Sequence, residues 1–187
     1  MDGLDWLTVA GMLPATGFVA LLGLVGAMPG PPAIAAASLF GALLGFAPFN
    51  KPVARLFLGD VGSLPIGLLV GWLLLQVGGL TGLAAAVLLP LYHVMDATLT
   101  LVRRVIRREK VWEAHRSHFY QQATRNGFSP LAVSTQLFLL NLWLASLAAL
   151  TLFWRNPAVQ VGLVLIGIGS VAFLLRRFSR PSQATST

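Results

Sequence analysis

Six apolar stretches, each close to the length of a membrane-spanning helix, restrict what this chain can fold into. A helix needs about 20 residues to cross the hydrocarbon core of a bilayer. Only 10% of the residues are charged, whereas a soluble domain carries about 25%. The sequence therefore predicts an all-α, polytopic transmembrane helix bundle of about six spans. The spans are predicted at approximately 7–28, 33–49, 63–79, 81–102, 131–153 and 158–175. Tight turns are predicted at 29–32, at Gly78-Gly79 and at Asn156-Pro157.

The basic residues are distributed unevenly between the predicted connections. Arg155 lies at one end of the spans, and every other Lys and Arg lies at the opposite end. Because cytoplasmic segments are enriched in Lys and Arg, both termini are predicted to be cytoplasmic. The net charge of +7 then reflects orientation rather than nucleic-acid binding. The absence of cysteine excludes disulfides and thiolate chemistry.

Acidic residues and histidines fall on the same predicted face as the arginines. Asp96 is predicted in the cytoplasmic half of the fourth span, where an unpaired carboxylate is costly, so either function or an orienting hydrogen bond is expected. This asymmetry indicates a water-soluble substrate that is delivered from the cytoplasm to a molecule held in the lipid. The other residues of this set are Asp2, Asp5, Asp60, Glu109, Glu113, His93, His115 and His118.

The polar connection 50–62 contains one carboxylate, Asp60, between Gly59 and Gly62. Glycines let the backbone approach a phosphate closely, and a carboxylate can hold Mg²⁺ against that phosphate. This pattern favours a metal-assisted phosphate site. The alternative is a polar turn that is capped by an aspartate.

The polar connection 103–130 carries an arginine cluster followed by His115, Arg116 and His118. Two histidines three residues apart around an arginine supply several hydrogen-bond donors that suit a pyrophosphate. The alternatives are a solvated loop for this triplet and a positive-inside stop signal for most of the preceding arginines.

Four segments, in the same order, resemble motifs of the polyprenyl-phosphate N-acetylhexosamine-1-phosphate transferases, the family that includes phospho-MurNAc-pentapeptide translocase. The O-antigen and lipopolysaccharide branch is the more similar in its histidine motif. The segments are Met1 to Asp5; Asn50 followed by Phe57-Leu58-Gly59-Asp60-Val61-Gly62-Ser63; Pro90, Asp96 and Arg103-Arg104; and Ala114-His115-Arg116-Ser117-His118.

This resemblance implies transfer of a sugar-1-phosphate from a UDP-N-acetylhexosamine to polyprenyl phosphate, with release of UMP, in cell-envelope polysaccharide synthesis. It implies Asp60 as the ligand of Mg²⁺, with Mn²⁺ as an alternative. His115, Arg116 and His118 would bind the pyrophosphate or the sugar. Asp2 and Asp5 would bind the nucleotide, Asn50 would position the Asp60 loop, and Arg104 is counted with the substrate-binding residues.

The sequence also departs from the family pattern. Trp6 replaces a family glycine and is expected to alter or block the nucleotide pocket near Asp5. The paired aspartates that the family carries before these motifs are absent from the 187 residues. The expectation is therefore the C-terminal half of a transferase, with a transmembrane domain at 1–177 and a disordered tail at 178–187. A partner carrying the other half, or a homodimer, is left open.

Two other classes of function remain as alternatives. A non-catalytic membrane partner, or one half of a split enzyme, would retain the fold without activity of its own. A small transport component would need polar groups or broken helices near the bilayer midplane. The concentration of polar residues at one surface disfavours transport.

Overall fold

The computed structural model describes residues 3–110, 112 and 117–181, except for the side chain of Thr81. Within these ranges the chain is helical and contains no strand, which confirms the predicted fold class. The helices are α1 (Leu7–Leu24), α2 (Gly30–Asn50), α3 (Gly59–Thr81), α4 (Leu83–Leu88), α5 (Leu91–Ile106), α6 (Phe119–Arg125), α7 (Pro130–Phe153) and α8 (Pro157–Phe178).

Five of the helices, α1, α2, α3, α7 and α8, are long and apolar enough to cross a membrane. The predicted fourth span differs, because α4 and α5 are separated at Leu89 and Pro90. Proline lacks the amide that would continue the hydrogen-bond ladder, so an interruption here is physically reasonable. The turn predicted at Gly78-Gly79 is wrong: α3 continues through both residues, and the chain turns at Gly82, whose φ is 103°.

α1 and α2 form a closely packed antiparallel hairpin. A Cβ atom built on Gly17 would lie 2.9 Å from the ring of Phe40, and one built on Gly23 would overlap the methyl group of Ala33. At the other end of the hairpin, the indole N–H of Trp6 donates to the carbonyl of Ala47 over 2.7 Å. The hairpin therefore fixes the start of α1 against the end of α2, where the Asp60 loop begins.

Gly23→Ala is expected to destabilise this hairpin by about 1–3 kcal/mol, because the added methyl group requires the two backbones to separate. The measurement is thermal unfolding in detergent. Gly41→Ala on α2 is the control, since a Cβ there meets no atom within 4 Å. The control should be neutral, or more stable by up to about 1 kcal/mol, because Ala favours helix over Gly. Equal melting temperatures for the two variants would contradict the packing.

α5 has the reverse of a soluble amphipathic pattern. Its polar residues Tyr92, Asp96, Thr100 and Arg104 are buried. Its exposed side includes Val94, Leu99, Leu101, Val102, Val105 and Ile106. Polar groups inside and apolar groups outside are expected of a helix that faces lipid. α5 therefore turns its functional groups toward the rest of the bundle.

Several hydrogen bonds bring polar segments that are distant in sequence to one end of the bundle. The Ser134 hydroxyl, near the start of α7, donates to the carbonyl of Asp5 over 2.7 Å. The Asn126 amide, just after α6, donates to the carbonyl of Phe178 at the end of α8 over 2.7 Å. The predicted convergence of polar segments is therefore present in the fold, while its cytoplasmic orientation stays a prediction.

Candidate active site

The side chain of Asn50 organises the connection between α2 and α3. Its Oδ1 accepts from the backbone N–H of Trp6 over 2.9 Å, and its Nδ2 donates to the carbonyl of Leu56 over 2.9 Å. Asn50 is buried, so both bonds are shielded from water. α2 ends here because Pro52 disfavours a helical conformation at Lys51, which is extended (ψ 151°). Asn50 thus joins the start of α1 to the returning loop.

Asp5 provides a second connection to the same loop. Its Oδ2 accepts from the backbone N–H of Ala54 over 3.1 Å. Two residues earlier, a Cβ on Gly3 would lie 3.5 Å from both the Tyr120 hydroxyl and the Gln121 amide nitrogen. The N-terminal segment therefore contacts the Asp60 loop on one side and α6 on the other. Three of the predicted motif segments meet at this segment.

Asp60 lies in the first turn of α3 and its side chain is exposed. The preceding residue, Gly59, has φ 56°, a left-handed conformation that glycine adopts without strain. The amides of a helix N-terminus and an exposed carboxylate together suit a cation bridged to a phosphate. The Asp60 loop, residues 50–62, therefore presents its only carboxylate to solvent.

Trp6 occupies a backbone conformation that favours glycine. Its φ is 65°, and a residue with a Cβ in the left-handed region is strained by about 1–2 kcal/mol. The hydrogen bond from its indole nitrogen to Ala47 holds the ring against α2, the helix before the loop. Glycine suits this position because it adopts the left-handed conformation without strain. For tryptophan, the indole hydrogen bond offsets part of that strain.

Trp6→Gly is expected to lower stability, because it removes the packing of a half-buried ring and one hydrogen bond, and relief of about 1 kcal/mol of strain offsets only part of that loss. Trp6→Ala keeps the strained conformation and also loses the bond. It should therefore unfold at a lower temperature than Trp6→Gly, by the equivalent of about 1 kcal/mol. Thermal unfolding of the two variants in the same detergent checks this order, and the reverse order would show that φ at residue 6 is not strained.

His118 precedes α6 and contacts a buried carboxylate. Its Nδ1 lies 3.2 Å from Oδ1 of Asp96, which is fully buried on α5. The His118 side chain is 20% exposed and its ring stacks on that of Tyr120, with 5.5 Å between centroids. Phe119 packs beneath the guanidinium of Arg103 at 4.3 Å. These contacts hold the end of the histidine motif against α5.

Arg104 is surrounded by contacts within the chain. Its Nε lies 3.1 Å from Oε2 of Glu109, and its Nη2 donates to the carbonyl of Lys110 over 2.6 Å. Its side chain is only 7% exposed. These contacts fix the guanidinium in place, and the predicted role of Arg104 in substrate binding stays a prediction.

Three predicted site residues, Asp2, His115 and Arg116, lie outside the described residues, as does Glu113. Among the described residues, no group of three or more His, Cys, Asp or Glu side chains is arranged to hold a metal ion. Mg²⁺ commonly uses one or two protein carboxylates together with substrate phosphates and water. The exposed carboxylate of Asp60 fits that sparse type of site.

Sequence reasoning missed the partners of Asp96. Its Oδ2 accepts from the Tyr92 hydroxyl over 3.0 Å, and its Oδ1 accepts from the Thr100 hydroxyl over 3.1 Å. The signal was present, because Tyr92, Asp96, Thr100 and Arg104 are spaced four residues apart and so share one helical face. The contact of this face with His118 depends on the fold and could not be read from spacing.

Comparison with known proteins confirms the predicted family resemblance. Residues 1–78 match the model of Glycosyl transferase family 4. The decaprenyl-phosphate N-acetylglucosaminephosphotransferase of Mycobacterium leprae is 29% identical over 169 residues, which cover 79% of this chain and 42% of that protein. The phospho-N-acetylmuramoyl-pentapeptide-transferase of Deinococcus radiodurans is 32% identical over 112 residues, which cover 60% of this chain and 33% of that protein.

The chain therefore spans about two fifths of the length of the first curated relatives that it matches. No solved structure matches the chain. Both relatives carry the name of a phosphotransferase. The O-antigen and lipopolysaccharide branch stays a prediction.

Proposed function

We propose that this chain takes part in the transfer of N-acetylhexosamine-1-phosphate from a UDP-sugar to polyprenyl phosphate. In this reaction an oxygen of polyprenyl phosphate attacks the β-phosphorus of the donor. The bond from that phosphorus to the bridging oxygen breaks, and UMP leaves with this oxygen. The product is a polyprenyl diphosphate that carries the sugar.

The observation that carries the proposal is the direct bonding between motif segments that lie far apart in sequence. Asp5 accepts from Ala54 in the Asp60 loop, and Gly3 adjoins α6 directly after His118. Carboxylates, histidines and arginines at one polar end of a lipid-facing bundle suit the joining of a soluble diphosphate to a lipid phosphate. Such transfers depend mainly on positioning and on neutralisation of charge.

Each residue in this account has a separate task. Asp60 would hold Mg²⁺, which when bound neutralises the charge of the donor diphosphate. Asn50 fixes the loop that carries Asp60, and Asp5 fixes the same loop from the N-terminal side. Asp5 and Asp2 would bind the nucleotide. His118, with His115 and Arg116, would bind the pyrophosphate or the sugar. Lipopolysaccharide synthesis in the inner membrane is the proposed setting.

The test is UMP release in membranes from the source bacterium, with the gene intact, deleted or restored. UDP-N-acetylhexosamine, polyprenyl phosphate and Mg²⁺ are supplied together, and each is omitted in turn. We expect UMP release that follows the gene and requires all three additions, with Mn²⁺ as a substitute metal. Release that persists unchanged after deletion would contradict the proposal and favour a non-catalytic membrane partner.

A further inference from the structure

We propose that Asp96 is a positioning residue that fixes the imidazole of His118 toward the substrate. The role of His118 toward a substrate rests on the proposed function, whereas the contact between Asp96 and His118 is a property of the fold. The carboxylate lies on α5, whereas the imidazole lies at the first residue before α6, 22 positions later. The pair therefore ties the histidine motif to α5.

The bonding around Asp96 leaves its carboxylate little freedom to move. Oδ1 accepts from the Thr100 hydroxyl and from the backbone N–H of Phe119, both over 3.1 Å, and faces His118 Nδ1 at 3.2 Å. Oδ2 accepts from the Tyr92 hydroxyl over 3.0 Å. A buried carboxylate is retained when its oxygens are satisfied in this way. Asp96 is therefore a fixed acceptor, not a mobile ligand.

This acceptor determines which nitrogen of His118 holds the proton. An ionised carboxylate can only accept, so the pair requires Nδ1 to donate to it. The backbone N–H of Gln121 also faces the His118 side chain in a capping box, and a bond from it to Nδ1 would require the opposite tautomer. Nε2 then lies on the far side of the ring from Asp96. The Phe119 amide, bonded to the same oxygen, fixes the backbone beside the histidine as well. Asp96 thereby sets both the ring orientation and the tautomer of His118 without touching the substrate.

The first arm of the test separates positioning from folding. Asp96→Asn keeps an acceptor for Phe119 and removes the charge. We expect it to unfold within a few degrees of the wild type and to lose about 10- to 100-fold in kcat, as when a carboxylate partner of a working histidine is removed. KM for the UDP-sugar should change less than about threefold. The matched control, Val94→Ala, lies on the exposed side of the same helix and should keep kcat near the wild-type value.

The second arm needs no activity. The full chain in detergent, labelled with ¹⁵N-histidine, contains three histidines, and His118→Gln assigns the signal of interest. At neutral pH the wild-type Nδ1 of His118 should carry a proton. In Asp96→Leu, or in Asp96→Asn if the leucine variant does not fold, that preference should weaken or disappear.

The two arms fail in different ways. A His118 signal that reports an unprotonated Nδ1 in the wild type would overturn the pair, whatever the activity. Wild-type kcat in folded Asp96→Asn would overturn the positioning role. Absence of any gene-dependent UMP release would instead refute the proposed function, and the labelled-histidine result would still decide the pair.

Discussion

Asp60→Asn is expected to reduce UMP release by about 100- to 1,000-fold, the range seen when one group that stabilises developing charge is removed from an active site. Asp60 is the only carboxylate in the 50–62 connection, and it is exposed at the start of α3. The amide keeps the size of the side chain but is a poor ligand for Mg²⁺, which prefers charged oxygen. The measurement is kcat for UMP release in membranes that contain equal amounts of each variant.

Val61→Ala is the control for this substitution, because Val61 is adjacent, 90% exposed and unable to bind a metal. It should keep nearly full activity. Asp60→Glu retains the charge with a longer side chain and should fall between the wild type and Asp60→Asn. If Asp60→Asn were as active as the wild type, Asp60 would have no role in the reaction. The prediction of a metal-assisted phosphate site in the 50–62 connection would then be wrong.

Asn50→Asp is expected to cause the largest loss of stability among these variants. The change converts the Nδ2 donor into an oxygen that faces the Leu56 carbonyl, while the bond from the Trp6 amide is kept. Two acceptors then meet in a buried position, at a cost of about 3 kcal/mol. Thermal unfolding in detergent measures the cost, and hydrogen exchange of the loop peptides should show faster exchange at Ala54 and Leu56.

Lys51→Ala provides the comparison for Asn50→Asp. Lys51 is the next residue and is exposed, so its truncation should change stability by less than about 0.5 kcal/mol. Activity should fall in Asn50→Asp even where the folded fraction is restored by low temperature, because the Asp60 loop is no longer fixed. If Asn50→Asp matched Lys51→Ala in both measurements, Asn50 would not organise the loop.

The helices could be predicted well from the sequence because membrane spans depend mainly on local apolar length. Five of the six predicted spans correspond to helices long enough to cross a membrane. The predicted fourth span was wrong, because it consists of two helices, α4 and α5. Hydropathy does not show that Pro90 interrupts the backbone hydrogen bonds between them. The turn at Gly78-Gly79 was wrong for a related reason. Glycine marks flexibility, but the positive φ that ends α3 occurs at Gly82.

The candidate site was predictable in its residue types and less so in its contacts. Asn50 was expected to position the Asp60 loop. Its hydrogen bonds to Trp6 and Leu56 are the contacts by which it would do so. The charge of Arg104 could be seen in the sequence, but its burial beside Glu109 depends on the fold. The bond between Asp96 and His118 joins residues 22 positions apart, so only the fold, which places the start of α6 beside α5, reveals it.

The most direct test of the central claim follows the atoms of the donor. Wild-type membranes receive UDP-N-acetylhexosamine labelled with ³²P at the β-phosphate and ¹⁴C in the sugar, together with polyprenyl phosphate and Mg²⁺. The account predicts that both labels enter the lipid in equal amounts and that one UMP is released for each. Entry of the sugar label alone, with release of UDP, would contradict phosphosugar transfer, as would failure of either label to enter the lipid in a gene-dependent way.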